Sequence, residues 1–368
     1  MRPSPTLVLV FLLVGILNAC SPAPAALAPS QSGFYYLATS TQPVLVISTS
    51  PESEPRKQIP LNPPLDCSLY ALRPAPVGPW VAVEWECSFG PAVELLDTSS
   101  GNSHFPLSDP SIDSRFLAWQ PDGSSLYLKI GTLSVPQTIR VDAATVKASE
   151  LPVSPFAYDL TVSPDGRHVL YSLSKGIGFG SETWLAGPDG QNPSQVLVDA
   201  NNIIAQAQYS PDGSQIAFIK FADSQESFPT GELWVMDSNG FHPRKLADAD
   251  AGHGFTPVWS PDGARLAFVG RDQPGNPDSL NMSIYQLAQA RLTSLSIPPA
   301  VQPAWATDGT SLIFSSTATQ ANGDAPDVPR GGTPIKTGGG KMNLWFYEIS
   351  SGQAKILVSG ACCAGWLR

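Results

Sequence analysis

Five aspartates stand in nearly the same frame: Asp122 in AWQPDGSSLYL, Asp165 in TVSPDGRHVLY, Asp212 in QYSPDGSQIAF, Asp262 in VWSPDGARLAF and Asp308 in AWATDGTSLIF. A carboxylate between an aromatic residue and a glycine is a group that could act as a general base or a metal ligand. The residues around it point elsewhere. In Ser-Pro-Asp-Gly the proline pre-sets φ at the second turn position, aspartate is tolerated at the third, and glycine at the fourth can take φ > 0, the needs of a type I turn joining two strands. The five aspartates are therefore read as structural turn residues.

Other constellations that carry chemistry are absent from the sequence. His104, His168, His242 and His253 show no metal-ligand spacing. No Gly-x-Ser-x-Gly occurs, Gly338-Gly-Gly-Lys341 is followed by Met342 rather than Ser or Thr, and Gly176-Ile-Gly178-Phe-Gly180 lacks dinucleotide-binding spacing. Both glycine runs are read as flexible loops. No catalytic residue, metal or cofactor is expected. Five cysteines occur; Cys67 and Cys87 suit a cross-strand disulfide, while Cys362 and Cys363 could join each other, or one of them could bridge to Cys67.

The elements that carry these residues follow from spacing. The aspartates are separated by 43, 47, 50 and 46 residues, and each interval repeats one order: a short apolar strand, the turn, a strand such as QIAFIK, a polar loop, a strand such as ELWVMD, a second turn and a last strand. Four strands per period of this length is a propeller blade. Composition agrees, with 31 Gly, 37 Pro and 14% charged residues, which favours short strands and tight turns over helices. Weaker copies cover 67–108 and 33–66, the latter lacking a first strand; Ala364-Gly-Trp366-Leu matches Pro303-Ala-Trp305-Ala and supplies it. The expectation is an all-β, seven-bladed propeller of four-stranded antiparallel blades, closed by the C-terminal strand joining the N-terminal blade; six or eight blades are the alternatives. Trp119, Tyr209, Trp259, Trp305 and Trp366 then sit on inner strands, where burying each ring contributes about 2–3 kcal/mol.

The aromatic-Ser-Pro-Asp-Gly motif followed by an Ile-Ala-Phe-like strand resembles the TolB-type, WD-like β-propeller repeat from about residue 33 to 368. The resemblance implies the fold. It does not imply one activity, because the same repeat also occurs in propellers of prolyl oligopeptidase-like peptidases, and TolB carries an α/β domain where this chain has a short tether.

The N-terminus reads as an address. Leu7–Leu17 is an apolar run of eleven residues, too short to span a bilayer and suited to a secretory signal over 1–19. Leu17-Asn-Ala-Cys20 resembles the bacterial lipobox, which implies lipidation at Cys20. Residues 20–32 then form a Pro/Ala/Ser tether, and 33–368 the propeller. The expectation is a lipid-anchored, extracytoplasmic protein of the bacterial cell envelope. A net charge of −10 without a basic run excludes nucleic acid as a partner; the chain is read as a monomer that meets the membrane through its lipid.

In a four-stranded blade the first turn and the loop between the second and third strands face opposite rims. The first turns are short and uniform. The opposite loops lengthen in blades four to seven: KGIGFGSE, FADSQESFPTG, RDQPGNPDSLN and Thr317–Lys341. Variable loops on a rigid scaffold carry function, so the candidate binding rim combines His253, Arg271, Asp272, Asp324, Asp327, Arg330 and Lys341. The favoured function is a protein- or ligand-binding scaffold module. Carbohydrate or peptide sensing, or a lyase- or lactonase-like enzyme using channel-facing residues, is the alternative.

Overall fold

The computed structural model describes residues 33–39, 42–107, 112–131, 136–273, 276, 279–295, 300–317 and 342–367. Gln31–Arg368 forms one compact unit. Seven four-stranded sheets make up the described chain, and all their pairings are antiparallel. The spacing of the turn motifs thus predicts the blade number correctly.

Blade one is ordered Ala361–Leu367, Gly33–Ala38, Val44–Ser48 and Lys57–Pro60 from the inside outward. Its innermost strand comes from the far end of the chain, with Phe34 opposite Trp366 and Leu37 opposite Cys362. Thr39 closes the seam by donating both its amide and its hydroxyl to the Gly360 carbonyl, each at 2.8 Å. The inner strands of blades two to seven are Cys67–Pro74, Ser114–Trp119, Ala157–Val162, Asn202–Tyr209, Val258–Trp259 and Ala300–Trp305. Two of the second strands, Val169–Leu173 and Ser311–Ser316, are buried along their whole length. That burial explains why they read as near-continuous apolar runs rather than alternating ones.

Blades are stitched together by the aromatics that precede the turns. The indole N–H of Trp119 donates to the Arg73 carbonyl of the previous blade at 2.8 Å, that of Trp259 to Gln208 at 3.1 Å, and that of Trp305 to Val258 at 3.1 Å. Each ring therefore buries area against its neighbour and satisfies an inner-strand carbonyl at once.

The turn aspartates bond inward to their own turns. Asp262 accepts from the Ser260 hydroxyl, the Ala264 amide at 3.0 Å and the Arg265 guanidinium at 3.2 Å. Asp212 and Asp165 repeat the serine contact at 2.6 Å, while Asp122 and Asp308 bind the amide and hydroxyl two residues on. Partial burial pushes the Asp262 carboxyl up, but the hydrogen bonds from Ser260, Ala264 and Arg265 outweigh it and hold the carboxyl below its ordinary value. The Gly263 amide bonds to the Ser260 carbonyl at 2.8 Å, and its φ of 68° explains the glycine.

Two outcomes follow for stability. Trp305→Phe keeps most of the buried ring but strands the Val258 carbonyl, and should cost about 1 kcal/mol in urea unfolding. Asp262→Asn should destabilise by about 0.5–1.5 kcal/mol at pH 7. Because the native carboxyl is depressed, its contribution is present above the unfolded value of about 3.9 and disappears as pH falls through the lower native value. The wild-type and Asn unfolding midpoints should therefore converge in acid.

Candidate functional site

In blades two to seven the turn between the first and second strands lies on one rim. The loops between second and third strands, and the connectors between blades, lie on the other. Arg271 ends the second strand of blade six, Asp272 follows it, and His253 lies in the connector between Asp250 and Val258. All three belong to the loop rim, but their side chains do not share one surface. Asp324, Asp327, Arg330 and Lys341, like Cys20, lie outside the described residues.

Asp272 is exposed, and its carboxylate accepts from the Asn281 amide. Arg271 and His253 turn inward, their side chains 3% and 1% exposed, and meet on the fully buried carboxylate of Asp250. Arg271 Nε and Nη2 lie 2.8 and 2.6 Å from Asp250 Oδ1, and His253 approaches with Nδ1 at 3.0 Å and its backbone amide at 3.1 Å. Arg271 Nη2 also donates to the carbonyls of Phe228 and Pro229, both at 3.1 Å. Phe228 and Phe255 flank the imidazole, with ring centroids at 4.9 and 6.0 Å. The cluster locks a connector, a strand end and a loop together. Sequence reasoning found Arg271 and His253 but missed Asp250, for which the only signal was an acidic residue three positions before a histidine.

The loop rim of blade four presents apolar side chains. Ile177 and Phe179 are 64% and 68% exposed, and Phe156, in the preceding connector, is also exposed. The Gly176–Gly180 run lies in the loop between the second and third strands of blade four, and it is tied to the next blade. The amides of Gly178 and Gly180 both donate to Asp223 Oδ2 of blade five, at 2.7 and 2.8 Å. A Cβ on Gly180 would fall 2.0 Å from the Asp199 carbonyl oxygen, at a φ of 66°. Ile177 and Phe179 are thus carried on a braced turn.

Inside the ring a cavity of about 440 Å³ lies between blades six, seven, one and two. Its wall includes Tyr70, Arg73, Phe255, Trp259, Gln302 and Trp366. The inner strands around the channel are irregular: those of blades one, two, three, four, five and seven each carry a register shift against their neighbour. Gln206, Gln302 and Cys363, each three residues before Tyr209, Trp305 and Trp366, have φ of 55°, 56° and 59°. Non-glycine residues held in this region cost about 1–3 kcal/mol each and cluster at binding sites. Cys362 and Cys363 are disulfide-bonded on the cavity wall, and Cys67 is joined to Cys87 across the first two strands of blade two. Among the described residues no three His, Cys, Asp or Glu side chains gather into a metal site.

The closed ring of seven four-stranded antiparallel sheets defines the β-propeller class. Within it, residues 181–323 match the family described as TolB beta propeller domain, a match over less than half of the chain. The chain is 30% identical over 128 residues to the Uncharacterized peptidase YuxL of Bacillus subtilis (strain 168), a match covering 32% of this chain and 19% of that protein. TolB from Acinetobacter baumannii superposes with a TM-score of 0.51 at 15% identity, covering 72% of this chain and 63% of that one. An oligogalacturonate lyase solved in complex with manganese superposes with a TM-score of 0.56 at 14% identity, covering 90% and 85%. The chain spans about a fifth of the curated relative it matches and just under two thirds of the TolB chain. At these identities the structural likenesses establish the fold alone.

Arg271→Ala leaves the Asp250 carboxylate buried with one partner fewer, and should cost about 3–5 kcal/mol in chemical denaturation. Asp272→Ala, on the exposed neighbour, should stay within about 0.5 kcal/mol of wild type. Maleimide labelling of the unreduced, unfolded chain should find no free thiol at Cys67, Cys87, Cys362 or Cys363; labelling at any of them would refute that pairing.

Proposed function

We propose that the protein is an extracytoplasmic, lipid-tethered propeller that serves as a protein-binding scaffold in the bacterial cell envelope. The braced display of Ile177 and Phe179 on the loop rim carries this reading. Exposed apolar side chains cost solubility, and holding them on a rigid turn lowers the entropy lost on binding, which is how recognition anchors are built. Buried Arg271, Asp250 and His253 act as the brace for the adjoining blade rather than as contacts.

The partner is a protein with a complementary apolar patch, and the scaffold engages it as a monomer.

A photo-crosslinking residue placed at Phe179 or Phe156 in the cell should capture a discrete envelope protein, whereas one at Asp308 on the turn rim should not. Ile177→Ser with Phe179→Ser should abolish capture from position 156 without lowering the melting temperature. Equal capture from both rims, or none from the loop rim, would refute the reading. Deleting 318–340 measures the share of that loop. Cys20→Ser should move the protein from the membrane to the soluble fraction.

A further inference from the structure

The channel cavity does not use the rim's apolar anchors, and its chemistry points to a different ligand. We infer that it binds a neutral saccharide, with Tyr70 and Trp366 offering ring faces and Gln302 hydrogen-bonding sugar hydroxyls.

At about 440 Å³ the cavity is of a size that holds a small ligand. Tyr70, Phe255 and Trp366 are only partly buried there, and the Cys362–Cys363 disulfide beside them adds an apolar, donor-free edge. Aromatic faces next to neutral polar groups suit the apolar C–H face and the hydroxyl rim of a pyranose ring. Tyr70 is placed by the register shift between Leu69 and Ala71, which inserts it as an extra residue in the inner strand of blade two.

Among the described residues, the polar side chains of the wall other than Arg73 and His253 are neutral, and two of them carry a buried polar atom without a partner. Gln302 Oε1 and Trp366 Nε1 are buried and make no hydrogen bond within the protein. For Trp366 this departs from the pattern of Trp119, Trp259 and Trp305, whose indole N–H groups are used on the preceding blade. One group is an acceptor and the other a donor, and a hydroxyl can serve both. Gln302 also keeps the left-handed backbone that places it in the wall.

Charge separates a neutral sugar from an acidic one. Among the described residues Arg73 is the one permanently charged side chain in the wall. Its Nε lies 3.7 Å from the Glu84 carboxylate, and its guanidinium lies over the Phe116 ring at 5.9 Å. A carboxylate ligand would have to compete with Glu84 inside a protein of net charge −10; a neutral one has nothing to displace.

The test titrates the full chain in detergent with cellohexaose, maltohexaose and chitohexaose as neutral probes and trigalacturonate as the acidic one, following tryptophan emission and calorimetric heat. At least one neutral probe should bind saturably. Tyr70→Ala and Gln302→Ala should each weaken it about tenfold, and Tyr70→Phe should restore most of the loss, which a variant acting through misfolding would not show. Ile177→Ser with Phe179→Ser should leave saccharide binding unchanged, so this inference and the rim scaffold fail separately. The inference is overturned if no neutral probe binds at millimolar concentration, if binding ignores both alanine variants, or if trigalacturonate binds more tightly than every neutral probe.

Discussion

Everything in the ring depends on one long-range pairing, that of Ala361–Leu367 with Gly33–Ala38. The other blades are hairpins whose strands follow one another in sequence. The seam strand must instead be found across nearly the whole chain, as the separation of 321 residues between Thr39 and Gly360 shows. Until it docks, blade one lacks its inner strand and exposes an edge of unpaired amides and carbonyls. The cavity also lacks the wall formed by Cys362 to Trp366. Closure is at once the slow topological step and the step that completes the internal site.

The blades were legible in the sequence because everything that makes one is local. A blade needs a turn of fixed chemistry, apolar strands of a set length and an aromatic at the inner edge, and VWSPDGARLAFVG holds all three within 13 residues. Even the seam could be read, because AGWL repeats the inner-strand pattern of PAWA. What escaped was whatever depends on register or on packing between blades. Nothing in the local pattern marks Tyr70 or Gln302 as an irregular position, because a one-residue shift is defined by the partner strand as much as by the strand itself. The bracing of Gly178 and Gly180 by Asp223 was hidden for the same reason: the carboxylate comes from the next blade, more than forty residues along.

Asp250 illustrates the limit most clearly. Its carboxylate binds Arg271 from 21 residues away and His253 from three, and only the three-dimensional fold shows that all of them converge. Arg271 and His253 stand on the loop rim with their side chains turned inward, a direction the sequence does not show, because burial of a cation is not visible until its counter-charge is located.

The position of this cluster follows from the shortest inner strand among the described residues. The inner strand of blade six is only Val258–Trp259, paired through two residues, where its counterparts in the other blades run to six or more. Residues 251–257 occupy the missing ladder as a connector and cannot be held by sheet hydrogen bonds. Asp250 replaces that ladder: it grips the His253 amide and ring on one side and the Arg271 guanidinium on the other, while Arg271 reaches two further carbonyls. The same shortened strand brings connector residues His253, Phe255 and Thr256 into the cavity wall, where a full strand would have continued the regular lining of the channel. The buried ionic cluster and this stretch of the cavity wall therefore both sit where the inner strand of blade six is cut short.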